Sequence, residues 1–205
     1  MFLTVSSFKG GVGKTTTAIH LAAFFASLNN GAVLLVDGDA NRSATAWSKR
    51  GDGLPFTVVP VDAAYRHIPK YHHVVVDTGA RPNREDLEPL VEGCDLLVLP
   101  TTPEAMALDA LLQTVGLLES IGGEKYRVLL TMVNPHPQVK TAALAREALA
   151  TMPLFTQQIR RFIAYEKASL AGSLVDAVGD RQGGIARSEY QSVGKEILEV
   201  VSHGR

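Results

Sequence analysis

The sequence predicts an α/β fold, a doubly wound and mostly parallel sheet flanked by helices on both faces. Three observations predict it. A short apolar run, Phe2-Leu3-Thr4-Val5, leads through a glycine-rich turn into a helically spaced apolar stretch from Ala18 to Ala26. Two later apolar runs, 32–36 and 74–76, each stop at an aspartate, Asp37 and Asp77. Around them, strand-like runs alternate with helical patterns, the rhythm of repeated βαβ units.

The turn after the first strand is Lys9-Gly10-Gly11-Val12-Gly13-Lys14-Thr15-Thr16. Strand, Gly-rich turn, helix is the context a phosphate-binding loop needs. Glycines let successive backbone N–H groups turn inward on phosphate oxygens with no side chain in the way. The following helix adds its free N-terminal amides and the positive end of its dipole. Gly10, Gly11, Val12, Gly13, Lys14, Thr15 and Thr16 are therefore the candidate cofactor-binding residues. Lys14 would neutralise the β/γ-phosphates and the Thr15 hydroxyl would ligate Mg²⁺. The competing interpretation is a Gly-rich turn that holds nothing.

The remaining elements follow in order. Asn29-Asn30-Gly31 reads as a turn, and Ala32 to Val36 as a fully buried parallel strand. In an open α/β sheet, residues just beyond strand C-termini line the ligand crevice, which puts Asp37 and Asp39 there. As helix N-caps for a helix at 44–48 they would need no ligand. Phe56 to Val61 reads as an edge strand because of Pro60, and Tyr65 to Lys70 as short and helical or irregular. His72 to Val76 is a strand ending at Asp77, the Walker B arrangement, in which the acid accepts from a Mg²⁺-bound water or from Thr15; a strand-end Asp can also simply begin a turn. The His72-His73 pair lacks a partner at zinc-ligand spacing. A helix opens at Asn83 or Arg84 and ends near Gly93, and Asp95 to Leu99 is a buried strand closed by Pro100-Thr101-Thr102-Pro103. Ala105 to Ile121 is an apolar helix, Tyr126 to Asn134 a strand, Gln138 to Thr151 a helix stopped by Pro153, Phe155 part of a short last strand, and Ile185 to Val201 the closing helix.

Lys-Gly-Gly-x-Gly-Lys-Thr-Thr, with Phe8 where the common phosphate loop has glycine, resembles the deviant Walker A box of the ParA/MinD family of P-loop ATPases. The Asp37-x-Asp39…Ser43 run, the Asp77 strand end and the segment from Ile159 and Arg160 through Ala168 and Gly172 to Val175 match that family's further motifs, so the resemblance spans nearly the whole chain. Ala40 and the Gly79-Ala80-Arg81-Pro82 run depart from it, since proline is usual after the second Asp and after the Walker B acid. The resemblance implies ATP and Mg²⁺ as ligands, with Lys14 acting in cis and Lys9 in trans across an ATP-sandwich homodimer. It makes Lys9, Lys14 and Asp39 the catalytic set, with Asp39 positioning the attacking water. It adds Asp37 to the metal set of Thr15 and Asp77, and places Asn134 on the adenine. Pro100-Thr101-Thr102-Pro103 and the helix after it would lie at the dimer face. Two short-chain branches fit, the carboxysome-distribution ATPases and the short plasmid-partition ATPases. They imply non-specific DNA binding by the dimer, nucleoid association in the ATP state, and an adaptor (McdB-like or ParB/ParG-like) that accelerates hydrolysis. Arg160, Arg161, Lys167, Arg187 and Lys195 are the candidate DNA contacts, each also readable as part of a solvated face.

Composition bounds these readings. The 205 residues suit one domain, 1–205. Hydrophobic content of 46% and a mean hydropathy of +0.09 suit a buried sheet and leave no room for a large disordered region. The net charge of −1 excludes a polycation, and positions 157–205 hold seven basic against six acidic residues, so DNA contact needs a local patch doubled by dimerisation. The one cysteine, Cys94, excludes an intrachain disulfide framework and a shared iron–sulfur cluster built from two cysteines per subunit. No signal peptide or membrane span is expected, a cytoplasmic location is expected because a single cysteine suits a reducing compartment, and no N-terminal helix-turn-helix is expected ahead of the phosphate loop. Two alternatives come from other classes. A MinD-like membrane-associated ATPase needs a basic amphipathic C-terminal helix, whereas Glu196 and Glu199 lie in this one. A metabolic enzyme of the dethiobiotin synthetase type needs a small-molecule acceptor.

Overall fold

The computed structural model describes residues 1–28, 32–80 and 84–203. The expected turn at 29–31 and the 81–83 stretch before the fourth helix lie outside the described residues. Six strands form one sheet: β1 (Phe2–Ser7), β2 (Val33–Gly38), β3 (Thr57–Pro60), β4 (His73–Ala80), β5 (Leu96–Thr101) and β6 (Tyr126–Leu130). Their order is β3-β2-β4-β1-β5-β6 and every ladder is parallel. β3, carrying Pro60, is an edge strand, which its missing N–H favours.

The helices are α1 (Lys14–Ser27), α2 (Ser43–Ser48), α3 (Val61–Ala64), α4 (Arg84–Gly93), α5 (Ala105–Ser120), α6 (Thr141–Ala148), α7 (Ile163–Ala171) and α8 (Arg181–His203). One core layer packs α1, α7 and α8 on the sheet through Ile19, Leu21, Phe25, Val75, Val98 and Ile197. The opposite layer packs α5 and α6 through Leu97, Leu99, Leu118, Val128 and Leu130. Helices therefore cover both faces, and the strands are apolar on both sides for that reason. The register pairs Asp37 with Asp77 across β2 and β4. Both acids thus reach the same C-terminal edge of the sheet, beside the end of β1.

Several boundaries differ from the sequence expectation. Val61, expected to end β3, opens α3, and β4 runs past Asp77 to Ala80. β6 stops at Leu130 rather than Asn134, because Met132 takes a left-handed φ of +52°. The helix expected over 138–151 forms only at Thr141–Ala148; beyond it, Ala150 and Met152 donate to Glu147 and Leu149 in tight turns. Phe155 belongs to no strand. The chain runs along β6 and its extension, making the isolated bridges Val128–Leu154 and Val133–Arg160 and an Ile159 N–H to Leu130 carbonyl bond at 2.8 Å, but no continuous ladder, because the amides of Thr156 and Gln157 donate to the Glu196 carboxylate of α8 instead. α8 begins at Arg181, before Gly183 and Gly184: Asp180 caps it by accepting from the Gly183 N–H at 2.8 Å. A side chain at Gly183 would sit 2.3 Å from the Val175 carbonyl, so glycine there allows close packing rather than ending the helix.

Candidate active site

The phosphate loop leaves β1 at Ser7, whose hydroxyl accepts from the Lys9 N–H at 3.2 Å. Gly11 and Gly13 hold φ of +76° and +84°, backbone that a Cβ would strain. Gly13 is the N-cap of α1 and supplies no side-chain cap, so the helix presents unpaired amides at its start. Val12 is buried, and its carbonyl accepts from the Thr131 hydroxyl at 2.8 Å, fastening the loop to the end of β6.

The Thr15 hydroxyl donates to Oδ2 of Asp77 at 2.7 Å. Asp77 is fully buried, and its Oδ1 has no hydrogen-bond partner among the described residues. Burial pushes the Asp77 carboxyl up to about 7, against the Thr15 hydrogen bond that pulls it down. Lys14 is also buried, and desolvation lowers its amine below the ordinary lysine value while Asp77 and Asp39 oppose that shift. Among the described residues the Lys14 amine has no hydrogen-bond or ion-pair partner. A buried cation and a buried acid with a free oxygen, set against a helix N-terminus, are a costly arrangement without a ligand. They fit a phosphate with a hard divalent cation, Thr15 and Asp77 supplying oxygens of the kind Mg²⁺ takes.

The Asp37–Ser43 loop forms the facing wall. Asp37, expected in the metal set, has both oxygens in use within the chain: Oδ2 accepts from the N–H and hydroxyl of Thr45 at 2.8 and 2.7 Å, and Oδ1 from the Asp39 N–H at 3.3 Å. Its carboxylate anchors the first turn of α2. Asp39 lines the cleft, with Oδ1 accepting from the Asn41 N–H at 2.8 Å. Lys9 lies 3.5 Å from Oε2 of Glu104, just ahead of α5, so its amine is paired within the chain rather than free in solvent.

These walls enclose a cleft of about 560 Å³ bounded by Gly10, Gly11, Gly13 to Thr16, Asp39, Asn41 and Arg50. A second cleft, about 530 Å³ and largely apolar, adjoins it at Gly13, Thr16, Trp47, Met132 and Ser169. It continues to Ile159, Phe162 and Leu170 and suits a nucleobase beside the phosphates. Asn134 lines neither cleft; its Oδ1 accepts from the His136 N–H in an exposed turn. Trp47, Arg50, Met132 and Ser169 went unremarked in the sequence, and only Arg50, a cation shortly after Asp39, carried a signal that could have found it.

The five candidate DNA contacts separate. Arg160 pairs with the buried Glu189, which also accepts from the Arg160 N–H at 3.0 Å, and its guanidinium lies 5.3 Å over the Phe162 ring. Lys167 pairs with Asp180 at 3.3 Å and Arg187 with Asp176 at 2.7 Å. Arg161 and Lys195 are exposed and, among the described residues, carry no ion pair.

A phosphate loop, a Walker B acid and an adjoining apolar cleft on an all-parallel sheet define a nucleotide-binding P-loop ATPase. The CobQ/CobB/MinD/ParA nucleotide binding domain (CbiA) matches residues 3–175; the chain belongs to that family and is an ATPase of the ParA/MinD type. It is 36% identical over 200 residues to the maintenance of carboxysome distribution protein A of Gloeobacter kilaueensis, covering 92% of this chain and 90% of that protein. The fold resembles an ATP complex of a Cyanothece McdA variant at 14% identity and a TM-score of 0.75, covering 97% of this chain and 96% of that one. It also resembles a chain of the MinC:MinD cell division protein complex of Aquifex aeolicus at 16% identity and a TM-score of 0.77, covering 97% and 95%. No described helix is long and apolar enough to cross a membrane.

Proposed function

We propose that this ATPase positions a cargo, most directly the carboxysome, by cycling on and off DNA. The observation that carries the reading is the pair of lysines on one loop, Lys14 buried at the helix start and Lys9 at the loop's beginning, paired with Glu104. A nucleotide held by a single subunit already has Lys14; the second lysine would serve a neighbour's. ATP would close two subunits face to face, because the γ-phosphate supplies contacts that exist only in the dimer. The dimer would bind DNA through its phosphates without sequence preference, and an adaptor on the cargo would accelerate hydrolysis. The near full-length likeness to a carboxysome distribution protein supports the choice of cargo.

In the hydrolytic step the loop amides and Lys14 hold the phosphates and offset charge as it develops on them. Mg²⁺, when bound by Thr15 and Asp77, adds charge neutralisation. Asp39 orients a water whose oxygen attacks the γ-phosphorus as the bond to the β-phosphate oxygen breaks, giving ADP and inorganic phosphate.

Imaging of a fluorescent fusion tests the proposal. The wild-type chain should cover the nucleoid and Lys14→Ala should be diffuse, with carboxysomes clustered when the gene is deleted. Evenly spaced carboxysomes in the deletion strain, or rapid ATP turnover driven by a metabolite alone, would overturn it.

A further inference from the structure

Asp39 sits in a loop with little intrinsic stiffness, since Ala40 restricts the backbone no more than any ordinary residue. Asp37 fixes where the loop leaves β2 and reaches the Asp39 N–H at 3.3 Å, and Thr45 fixes where it enters α2. Arg42 ties the rest of the loop. Its backbone is left-handed, with φ of +51° and ψ of 42°, an uncommon state for a residue with a Cβ and one that costs free energy. Its N–H donates to the Asp39 carbonyl at 2.9 Å and closes a turn around Ala40 and Asn41. Its guanidinium folds back across the loop, Nη1 donating to the Asp37 carbonyl at 2.7 Å while Nη2 lies 3.5 Å from Asp62 of α3. The fork thus spans strand end, loop and neighbouring helix, which a point cation on a flexible stem does less well.

We propose that Arg42 is a positioning residue for ATP hydrolysis, latching the Asp37–Ser43 loop so that Asp39 faces Lys14 and Thr15, with Asp62 holding the latch. The inference rests on the Asp39 role proposed above. Arg42 itself touches no phosphate; it acts through Asp39. A misplaced water-orienting carboxylate slows the chemical step and leaves ground-state binding intact, because the loop amides and Lys14 bind the phosphates.

Arg42→Gly keeps the left-handed backbone cheaply while removing the whole side chain, guanidinium included. Single-turnover hydrolysis should fall about tenfold, the order a small displacement of a positioning group produces, while the Kd for ATP changes less than about twofold. Arg42→Lys should recover part of the rate. In an Asp39→Ala background, Arg42→Gly should cause no further loss, because the two act as a unit. Asp62→Asn leaves residue 42 in place and should show the same split at smaller size, which covers the case in which Arg42→Gly folds poorly. An unchanged rate, an ATP affinity falling in step with the rate, or a full additional loss in the Asp39→Ala background would overturn the proposal. Asp39→Ala hydrolysing at the wild-type rate would remove the Asp39 role itself, and that single variant reports it separately.

Discussion

The Thr15 hydroxyl donates to Oδ2 of Asp77, joining the phosphate loop to a strand end 62 positions away and leaving Oδ1 buried and unpartnered among the described residues. The free lone pairs of Oδ1 and the unpaired Lys14 amine are the places where a ligand would repair the site's electrostatics. Lys14→Ala should therefore abolish ATP binding by isothermal calorimetry while the chain stays folded, since a desolvated cation is lost with it. Tight ATP binding by that variant would remove the loop's assigned role.

Arg160 and Arg161 are neighbours in sequence with different work. Glu189 is buried, and burial raises its carboxyl against the pull of Arg160. Arg160→Ala leaves that acid without its partner and should lower unfolding free energy by about 1–3 kcal/mol in urea titrations. Arg161→Ala should leave stability unchanged, weaken binding to all DNA sequences alike, and reduce the slope of log K against log salt by about one.

His20 lies in the core of α1, stacked on Tyr190 at 5.0 Å, with the Val175 N–H donating to Nε2. Nδ1 therefore carries the proton and donates to the Thr16 carbonyl at 2.7 Å. Burial pushes its pKa down to about 4 from 6.5, with Asp176 only partly opposing. Below pH 6.5 the unfolded chain takes up a proton that the folded chain refuses until about pH 4. The stability contributed by neutral His20 is complete above pH 6.5 and is lost as pH falls from 6.5 to 4, by at most roughly 3 kcal/mol. Urea midpoints across that window should fall more steeply for wild type than for His20→Gln; equal slopes would contradict this.

Gly194 lets α8 cross α1 closely, since a Cβ there would lie 2.2 Å from the Phe24 ring. Gly194→Ala raises helix propensity yet should lower stability by about 1–3 kcal/mol, because the Phe24 ring must shift to clear the new methyl. Thermal denaturation checks the sign.

The strands, their acidic ends and the phosphate loop were legible because each rests on local pattern: apolar runs, a terminal carboxylate, glycines at fixed spacing. What escaped depends on distant partners. Nothing near Arg160 announces Glu189, which sits 29 positions away on α8. Met132 gives no sign that it turns left-handed and ends β6 short of Asn134. Gly183 looks like a helix breaker until the Val175 carbonyl against it is seen. Asp37 could be placed at the crevice from its strand, but its engagement with Thr45 follows from the path of a loop that sequence spacing does not determine.

In the proposed dimer Lys9 leaves Glu104 and serves the nucleotide of a second subunit. Light scattering on Asp39→Ala with ATP and Mg²⁺, with and without Lys9→Ala, decides whether it does. Asp39→Ala should scatter as twice the 22.0 kDa chain mass, and removing Lys9 as well should leave a monomer that still binds ATP. A monomer in the first case, or a dimer that survives the loss of Lys9, would contradict it.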